Sequence, residues 1–342
     1  MTREFQKIPE WSGVTFEIFR DEIYPRSKPA VLRGLVQDWS AAREGSKSPR
    51  AFCDYVRKFD RGGQVNMLTA PPDLQGRFFY SDDLRGYNFE RRKVEFATAV
   101  AQLLAQIDDE NPSAVYVESA PITECMPDFA RANVLDLVDP GVVPRIWMGN
   151  RIRTQTHYDL SDNIACVVAG RRRFTLFPPD QIANLYMGPL EFTISGAPVS
   201  MASLEEPDFA RHPRFSMALD AAQAAELGPG DAIFIPYFWW HHVRSLEPFN
   251  ALVNYWWNDA PRSMGSLYDC LLHGVLAIRD LPADQRTAWR SVFDYLVFKT
   301  SGEPMAHLPP HARGALGPMT LEQREHMKKV LLHSLERTVT GR

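Results

Sequence analysis

Between residues 145 and 258 the chain alternates short apolar runs with glycine, proline and asparagine. Runs such as NIACVVAG and DAIFIP end at turn-forming residues, which is typical of β-strands. The residues Ala169-Gly170-Arg171 predict a hairpin turn between two of these strands. Many short strands with glycine and proline between them favour a β-sandwich or barrel.

Helical spacing is found on both sides of this segment. Upstream, SPRAFCDYVRKF and FERRKVEFATAVAQLLAQI predict helices, and AVYVESA at 114–120 predicts a strand. Downstream, apolar residues recur at helical intervals, and Thr320 with Gln323 forms a capping box before the last helix. We therefore predict a mainly β domain with N-terminal α/β elements over residues 1–258, its β core at about 114–258, and a helical region over 259–342.

Composition limits the class of protein. The chain has 342 residues, 45% of them hydrophobic, which is ample for one large domain or two ordinary ones. A formal net charge of −4 gives no basic surplus, so nucleic acid is not an expected partner. No apolar signal segment opens the chain and no apolar run could span a bilayer, so no membrane partner is expected. Four widely spaced cysteines without a CxxC pair suit a reducing cytoplasm.

The main chemical signal lies in TQTHYDLSDN, where His157 and Asp159 are two residues apart. Alternate residues of a strand share a face, so both side chains can reach one ion. An HxD pair alone is common, and a structural histidine is then the simpler explanation. The segment GPGDAIFIPYFWWHHV supplies a third ligand, His241 or His242. Two histidines and a carboxylate form the facial triad of non-haem Fe(II) oxygenases, although three ligands and a water would also suit zinc.

A candidate counter-charge follows in AGRRRFTLFPP, where Arg172 alternates with Phe174 and Leu176. An arginine on an apolar face is costly unless an anion meets it. A dicarboxylate bound end-on to the guanidinium fork would be such an anion. The alternative explanation is that residues 171–173 are only a solvated hairpin turn.

Taken together, THYDLSDNIACVVAGRRRFTLFPPDQ, GPGDAIFIPYFWWHHVRSL and NYWW closely resemble the JmjC/cupin-like 2-oxoglutarate oxygenases, and in particular the subgroup containing the asparaginyl hydroxylase factor inhibiting HIF. The resemblance covers about residues 29–258 and implies a double-stranded β-helix of the jelly-roll (cupin) type. It implies that His157, Asp159 and His241 hold Fe(II), with His242 as the second choice, and that 2-oxoglutarate and O2 are co-substrates.

The resemblance also implies which residues surround the co-substrate. Tyr116 and Thr154 match positions whose hydroxyls contact the 2-oxoglutarate carboxylate. Asn163 and Asn254 match amides near the metal and co-substrate, and Trp256 matches an aromatic wall. Arg172 falls in register with a lysine that holds the distal carboxylate in the asparaginyl hydroxylase. Arginine keeps the charge but is bulkier, so this is a departure from the pattern.

The implied reaction is hydroxylation of a protein or peptide side chain, or of an amino-acid-like small molecule, with succinate and CO2 as products. Hydroxylation is favoured over demethylation because the subgroup match points that way and no histone-reader module accompanies the domain. The C-terminal helices are implied to form a homodimer, and the irregular segment 188–214 is the expected substrate-facing loop. Two alternatives stay open: a metal-dependent cupin enzyme that never uses 2-oxoglutarate, and a non-catalytic binding protein.

Overall fold

A computed structural model describes residues 4–260 and 264–339. These residues divide into two compact units, one running to Asn258 and the other beginning at Asp259. The first unit contains all of the described strands, and the second is helical.

Fourteen strands are described in the first unit. In chain order, β1 to β14 are Gln6–Lys7, Glu10–Ser12, Ala30–Arg33, Gln64–Ala70, Glu90–Glu95, Ala114–Pro121, Arg145–Gly149, Arg153–His157, Asp162–Ala169, Arg172–Phe177, Gln223–Leu227, Ala232–Ile235, Trp240–Ser245 and Asn250–Trp257.

Ten α-helices are described in the two units. In chain order, α1 to α7 of the first unit are Phe16–Ile18, Ser40–Lys47, Pro49–Arg57, Phe96–Ala105, Ile122–Cys125, Pro127–Ala132 and Phe215–Ala221, and α8 to α10 of the second are Leu267–Ile278, Ala283–Leu296 and Leu321–Val339.

The strands form two sheets between which the chain crosses repeatedly. The smaller sheet has the order β1-β11-β10-β13-β8, and the larger has the order β2-β3-β12-β9-β14-β7-β6-β4-β5. Between β7 and β14 the chain changes sheet at nearly every connection, with β10 and β11 as the one consecutive pair within a sheet. A chain wound alternately through two facing sheets is a jelly roll, and the predicted fold class is confirmed.

The larger sheet is buried on both faces, which explains why its central strands are almost wholly apolar. On β9, Ile164, Cys166 and Val168 belong to the core cluster that also contains residues of α2, α3 and α4. The alternate residues Ala165 and Val167 instead join a second cluster with side chains of β10 and β13 in the smaller sheet. The candidate site lies in this space between the sheets.

One predicted helix is wrong in its first half. Residues 90–95 of FERRKVEFATAVAQLLAQI form β5, an edge strand paired antiparallel with β4, and the helix α4 begins only at Phe96. Charged side chains on an edge strand remain in solvent and discourage pairing with other chains. The charged residues at 90–95 therefore do not alternate with apolar ones, and the sequence gives no indication of a strand there.

The hairpin predicted at Ala169-Gly170-Arg171 is also wrong. β9 and β10 lie in different sheets, so the turn carries the chain across the jelly roll. Gly170 has a φ of +68°, and a Cβ added there would meet the carbonyl oxygen of Phe249 at 2.3 Å. Only glycine fits this crossing, because it needs both the left-handed conformation and the close approach.

The second unit consists of amphipathic helices that bury little. None of the described residues of α8 or α9 is buried. The capping box holds, since the Thr320 backbone nitrogen donates to Gln323 Oε1 at 2.8 Å and the Gln323 nitrogen donates to Thr320 Oγ1 at 3.2 Å. Among the described residues, no helix is both long and apolar enough to cross a membrane.

Candidate metal centre

Two neighbouring strands of the smaller sheet, and the turn after one of them, bring three side chains together. His157 ends β8, Asp159 follows in the next turn, and His241 lies directly opposite His157 on β13. One donor atom from each lies within 4.8 Å of the other two. The His241 Nε2 to Asp159 Oδ2 distance is 3.6 Å, and the buried Asp159 Oδ2 has no hydrogen-bond partner among the residues that the structure describes.

Backbone carbonyls orient both imidazoles. Nδ1 of His157 lies 2.8 Å from the Gln155 oxygen, and Nδ1 of His241 lies 3.0 Å from the Trp239 oxygen. A carbonyl only accepts, so each Nδ1 carries the proton and each Nε2 presents a lone pair. Burial, and then the neighbouring His157, lower the pKa of His241 to about 4, which keeps this imidazole neutral near pH 7.

His242 is directed away from this group. It lies opposite Thr175 on the outer face of β13, where the pairing between β13 and β8 shifts register, and its Nε2 is 4.0 Å from Glu205. Burial lowers the pKa of His242 to about 3. The structure therefore groups His241, and not His242, with His157 and Asp159.

The three side chains open into a cavity of about 110 Å³ between the sheets. Its walls are mainly aromatic and aliphatic. They include every residue predicted for the site, namely Tyr116, Thr154, His157, Asp159, Asn163, Arg172, His241, Asn254 and Trp256.

Arg172 is the buried cation of this cavity. Its side chain is 2% exposed, and its Nε and Nη2 have no hydrogen-bond partner among the described residues. Burial lowers its pKa, and its favourable contact is with Tyr116. Burial raises the pKa of Tyr116 to about 12, while hydrogen bonds with Thr154 and Arg172 act in the opposite direction. A guanidinium held this way fits a carboxylate, since the fork and two neutral hydroxyls all offer donors.

Side-chain hydrogen bonds fix the part of the cavity wall formed by β7, β9 and β14. Trp147 Nε1 donates to Asn254 Oδ1 at 2.8 Å, and Asn254 Nδ2 donates to Asn163 Oδ1 at 3.2 Å. Trp256 packs edge-on against Trp147 with ring centroids 5.7 Å apart. The two asparagines thus hold β14 and β9 in register at the cavity, in addition to any contact with a bound molecule.

Sequence reasoning missed several lining residues. Trp147 and Glu118 both line the cavity. Glu118 lies two residues from Tyr116 on β6, so period-two alternation could have found it, whereas no predicted site residue on β7 indicates Trp147. The segment 188–214, which was predicted to face the substrate, also contributes to the cavity wall through Ile194, Ser195, Ala197 and Val199.

A jelly roll with a His-Asp-His group open to an internal cavity defines a mononuclear metal cupin. The model of the cupin-like domain family matches residues 16–263, so the chain belongs to that family. The family prediction made from the motifs is thereby confirmed.

The chain resembles several curated proteins. It is 28% identical over 299 residues to lysine-specific demethylase JMJ31 of Arabidopsis thaliana, which covers 78% of this chain and 53% of that protein. It is 28% identical over 275 residues to tRNA wybutosine-synthesizing protein 5 of Gallus gallus, covering 75% and 78% of the two chains. It is 24% identical over 262 residues to lysine-specific demethylase 8 of Xenopus tropicalis, covering 73% and 53%. The chain spans about half the length of both demethylases.

JmjC-type members of this family use Fe(II), 2-oxoglutarate and O2. The His-Asp-His group, with two neutral imidazole nitrogens and a buried carboxylate oxygen without a partner, fits such a metal ion. The predicted co-substrates are confirmed at the level of the family.

Proposed function

We propose that this protein is an Fe(II)- and 2-oxoglutarate-dependent hydroxylase acting on a protein or peptide side chain, or on an amino-acid-like molecule. The observation that carries the proposal is the buried guanidinium of Arg172, which lines the same cavity as the three candidate metal ligands and has two nitrogens without a partner in the described part of the chain. A cupin that binds only a metal has no use for a buried cation there. A dicarboxylate co-substrate gives this charge its counter-ion.

In this proposal His157, Asp159 and His241 would hold Fe(II). With the metal bound, O2 would oxidise 2-oxoglutarate to succinate and CO2, one oxygen atom entering succinate and the other hydroxylating the substrate. The carbonyl contacts at Nδ1 of both histidines fix the ring orientations, so the ligand geometry does not depend on the ion alone.

Arg172 forms the far end of the co-substrate site. Its fork binds the distal carboxylate of 2-oxoglutarate, and Tyr116 and Thr154 add hydroxyl donors beside it. The aliphatic and aromatic walls exclude water from this end, which strengthens the ion pair. Asn163 and Asn254 support the same wall through their mutual hydrogen bond at 3.2 Å.

The substrate is proposed to enter beside the 194–199 segment, whose Ile194, Ser195, Ala197 and Val199 line the cavity. The names of the relatives cite lysine-specific demethylation and tRNA wybutosine synthesis, so the family reaches more than one substrate. A side chain on a protein or peptide is our proposal because the motifs resemble those of the asparaginyl hydroxylase subgroup.

The test is an anaerobic titration of Fe(II)-loaded protein with 2-oxoglutarate, read by the weak visible charge-transfer band of the chelate. We expect a band that His157→Ala abolishes and that Arg172→Ala weakens. Arg173→Ala is the matched control, since it removes the neighbouring positive charge on the outer face of β10 and should leave the band unchanged.

Two results would reject the proposal in different ways. Metal binding without a band would favour a cupin enzyme that does not use 2-oxoglutarate. Failure to bind Fe(II) at all would favour a non-catalytic binding protein.

We also propose that the second unit forms a homodimer. The support is its large exposed apolar surface, which includes Leu276, Trp289, Phe298 and Leu332. Sedimentation of the wild type and of Leu332→Glu tests this, with a dimer expected for the first and a monomer for the second. A monomeric wild type would contradict it.

A cytoplasmic location is proposed for the same protein. All four cysteines are free, with Cys53, Cys125 and Cys166 buried and Cys270 exposed. Free thiols are the usual state in a reducing compartment. Fractionation of the cells that make the protein tests it.

A further inference from the structure

A second cavity lies on the outer face of the smaller sheet, on the other side of β13 from the metal candidates. It has a volume of about 230 Å³ and is lined by Arg77, Arg153, Gln155, Glu205 and His242, among others. His242 is the residue that the metal centre does not use.

Arg77 in this cavity shares an unusual property with Arg172. Within residues 4–260 and 264–339, these are the two arginines with a fully buried guanidinium nitrogen that lacks a hydrogen-bond partner. The one recorded contact of the Arg77 guanidinium is the face of the Phe79 ring, at 4.2 Å. By contrast, half-buried Arg33 bonds to two carboxylates and Arg145 bonds to Ser119. A partly desolvated guanidinium without an acceptor is costly, so an acceptor is expected here.

Two further donors face the same space. The His242 side chain is 4% exposed, and neither of its ring nitrogens has a recorded hydrogen bond in the described part of the chain. A neutral imidazole always offers one N–H. Arg153 uses one nitrogen to donate to Gln75 Oε1 at 2.9 Å, which leaves the rest of its fork available.

The carboxylates near this cavity do not satisfy Arg77. Glu205 is engaged by Arg244 at 2.9 Å, and its other oxygen lies 4.0 Å from His242. Glu206 and Asp73 are exposed at the rim, and neither forms an ion pair within 4.0 Å among the described residues. Glu206 acts on Arg77 only through the longer-range charge attraction. No carboxylate that lines this cavity therefore lies within ion-pair distance of Arg77 among the described residues.

We propose that this outer cavity binds a small oxyanion, a carboxylate or a phosphate group, between Arg77, Arg153 and His242. Arg77, like Arg172 in the inner cavity, has a buried guanidinium nitrogen that a bound anion would satisfy. Anion binding here does not depend on the proposed hydroxylase activity. Because His242 adjoins His241 at the register shift of β13, the bound anion would lie just across one strand from the metal candidates.

The test is calorimetric titration of inorganic phosphate, and separately of acetate, into protein loaded with Mn(II) and 2-oxoglutarate so that the inner cavity is filled. We expect saturable binding of at least one probe. Arg77→Gln and Arg153→Gln should each weaken it about 10- to 100-fold, the usual value of a hydrogen bond to a charged group. Two variants are used so that a folding defect in one does not decide the result.

Arg151→Gln is the matched control, because Arg151 is exposed on the same approach to β8 but does not line this cavity. Its affinity should stay within about twofold of the wild type. Absence of saturable binding, or equal weakening by all three variants, would overturn the proposal, since the second outcome means diffuse charge attraction. The relaxation of the ³¹P signal by Mn(II) separates the outer cavity from direct coordination, which would give far stronger relaxation.

Discussion

Two charged residues in the inner cavity have buried polar atoms that lack a partner within the described part of the chain, which is unfavourable in free energy until an ion or molecule of opposite charge binds. Arg172 is buried, and two of its nitrogens have no hydrogen-bond partner among residues 4–260 and 264–339; the same is true of one buried oxygen of Asp159. Both groups are more stable with an ion of opposite charge beside them. Substitutions at these positions should therefore change the stability of the ligand-free protein and its affinity for ligands in opposite directions.

Replacement of Arg172 by leucine should show this opposition directly. The free energy of unfolding of the ligand-free protein should rise by about 1 kcal/mol, because an unpaired buried charge is replaced by a packed apolar side chain. The affinity for 2-oxoglutarate should fall about 10- to 100-fold. Denaturant unfolding and ligand titration measure the two effects. Arg173→Leu is the control, and a loss of stability in Arg172→Leu would contradict the prediction.

Acid should destabilise the metal-free protein through its buried histidines. The pKa values of His241 and His242 are lowered from the ordinary 6.5 to about 4 and about 3, mainly by burial. Between pH 6.5 and 4 the unfolded chain binds protons that the folded chain refuses, so the stability present above pH 6.5 is lost as the pH falls. His242→Gln should remove roughly 1–3 kcal/mol of this loss.

The measurement is the unfolding free energy of wild type and variant across that pH range. His333→Gln is the control, because His333 is exposed on α10. Parallel pH profiles for wild type and His242→Gln would show that His242 is not held neutral.

The structure brings the residues predicted for the site to one cavity, but strand alternation accounts for only part of this prediction. Arg172 lies on an apolar strand as its spacing indicates, whereas Asp159 lies in the turn after β8, and most of the other positions came from the resemblance to the family. The choice between His241 and His242 could not be made from spacing. It depends on a register shift between β13 and β8, which is set by pairing with a distant strand.

At the scale of elements, helix α2 packs closely on strand β9, which also contributes a residue to the cavity wall. Gly45 of α2 approaches β9 so closely that an added Cβ would lie 1.8 Å from the Val168 carbonyl oxygen. Strand β9 also carries Asn163 into the cavity on its opposite end. Any displacement of α2 therefore reaches the cavity wall.

Gly45→Ala should destabilise the first unit by about 3 kcal/mol, since backbone must move to admit the methyl group. Thermal unfolding measures this. Gly274→Ala is the matched control, because a Cβ at this position of α8 meets nothing within 4 Å. The control should stabilise its helix by about 0.5–1 kcal/mol. Similar effects of the two changes would contradict the close packing of α2.

An exposed edge strand and the turn between two sheets were the features that the sequence did not predict correctly. Residues 90–95 form an exposed edge strand, and their charged side chains show no period-two pattern of burial. The turn at Gly170 has the composition of a hairpin, yet it joins two sheets. Local composition specifies that the chain turns there, whereas pairing partners decide which sheet receives it.

At the scale of the whole molecule, the two units have different characters. The first has a large continuous core, and the described helices of the second leave many apolar side chains exposed. A unit with its own core can fold alone. The metal centre belongs entirely to the first unit.

A chain ending at Asn258 should therefore still bind Fe(II) and 2-oxoglutarate but should no longer form the proposed homodimer. Fe(II) and 2-oxoglutarate affinities should stay within about threefold of the full chain, because no cavity residue is removed. Sedimentation should give a monomer. Loss of metal binding in this shorter chain, with its far-ultraviolet circular dichroism retained, would mean that the second unit supports the site.

The pairing of His157 with His241 has a consequence for synthesis of the protein. When synthesis has passed β8 and the turn after it, two of the three candidate ligands have been made, but β13 has not yet been translated. The complete group exists only after the strand bearing His241 has emerged and paired. Under the proposed function, complete coordination of iron would therefore be a late event in synthesis, because the growing chain would offer the metal only two donor side chains until His241 has emerged.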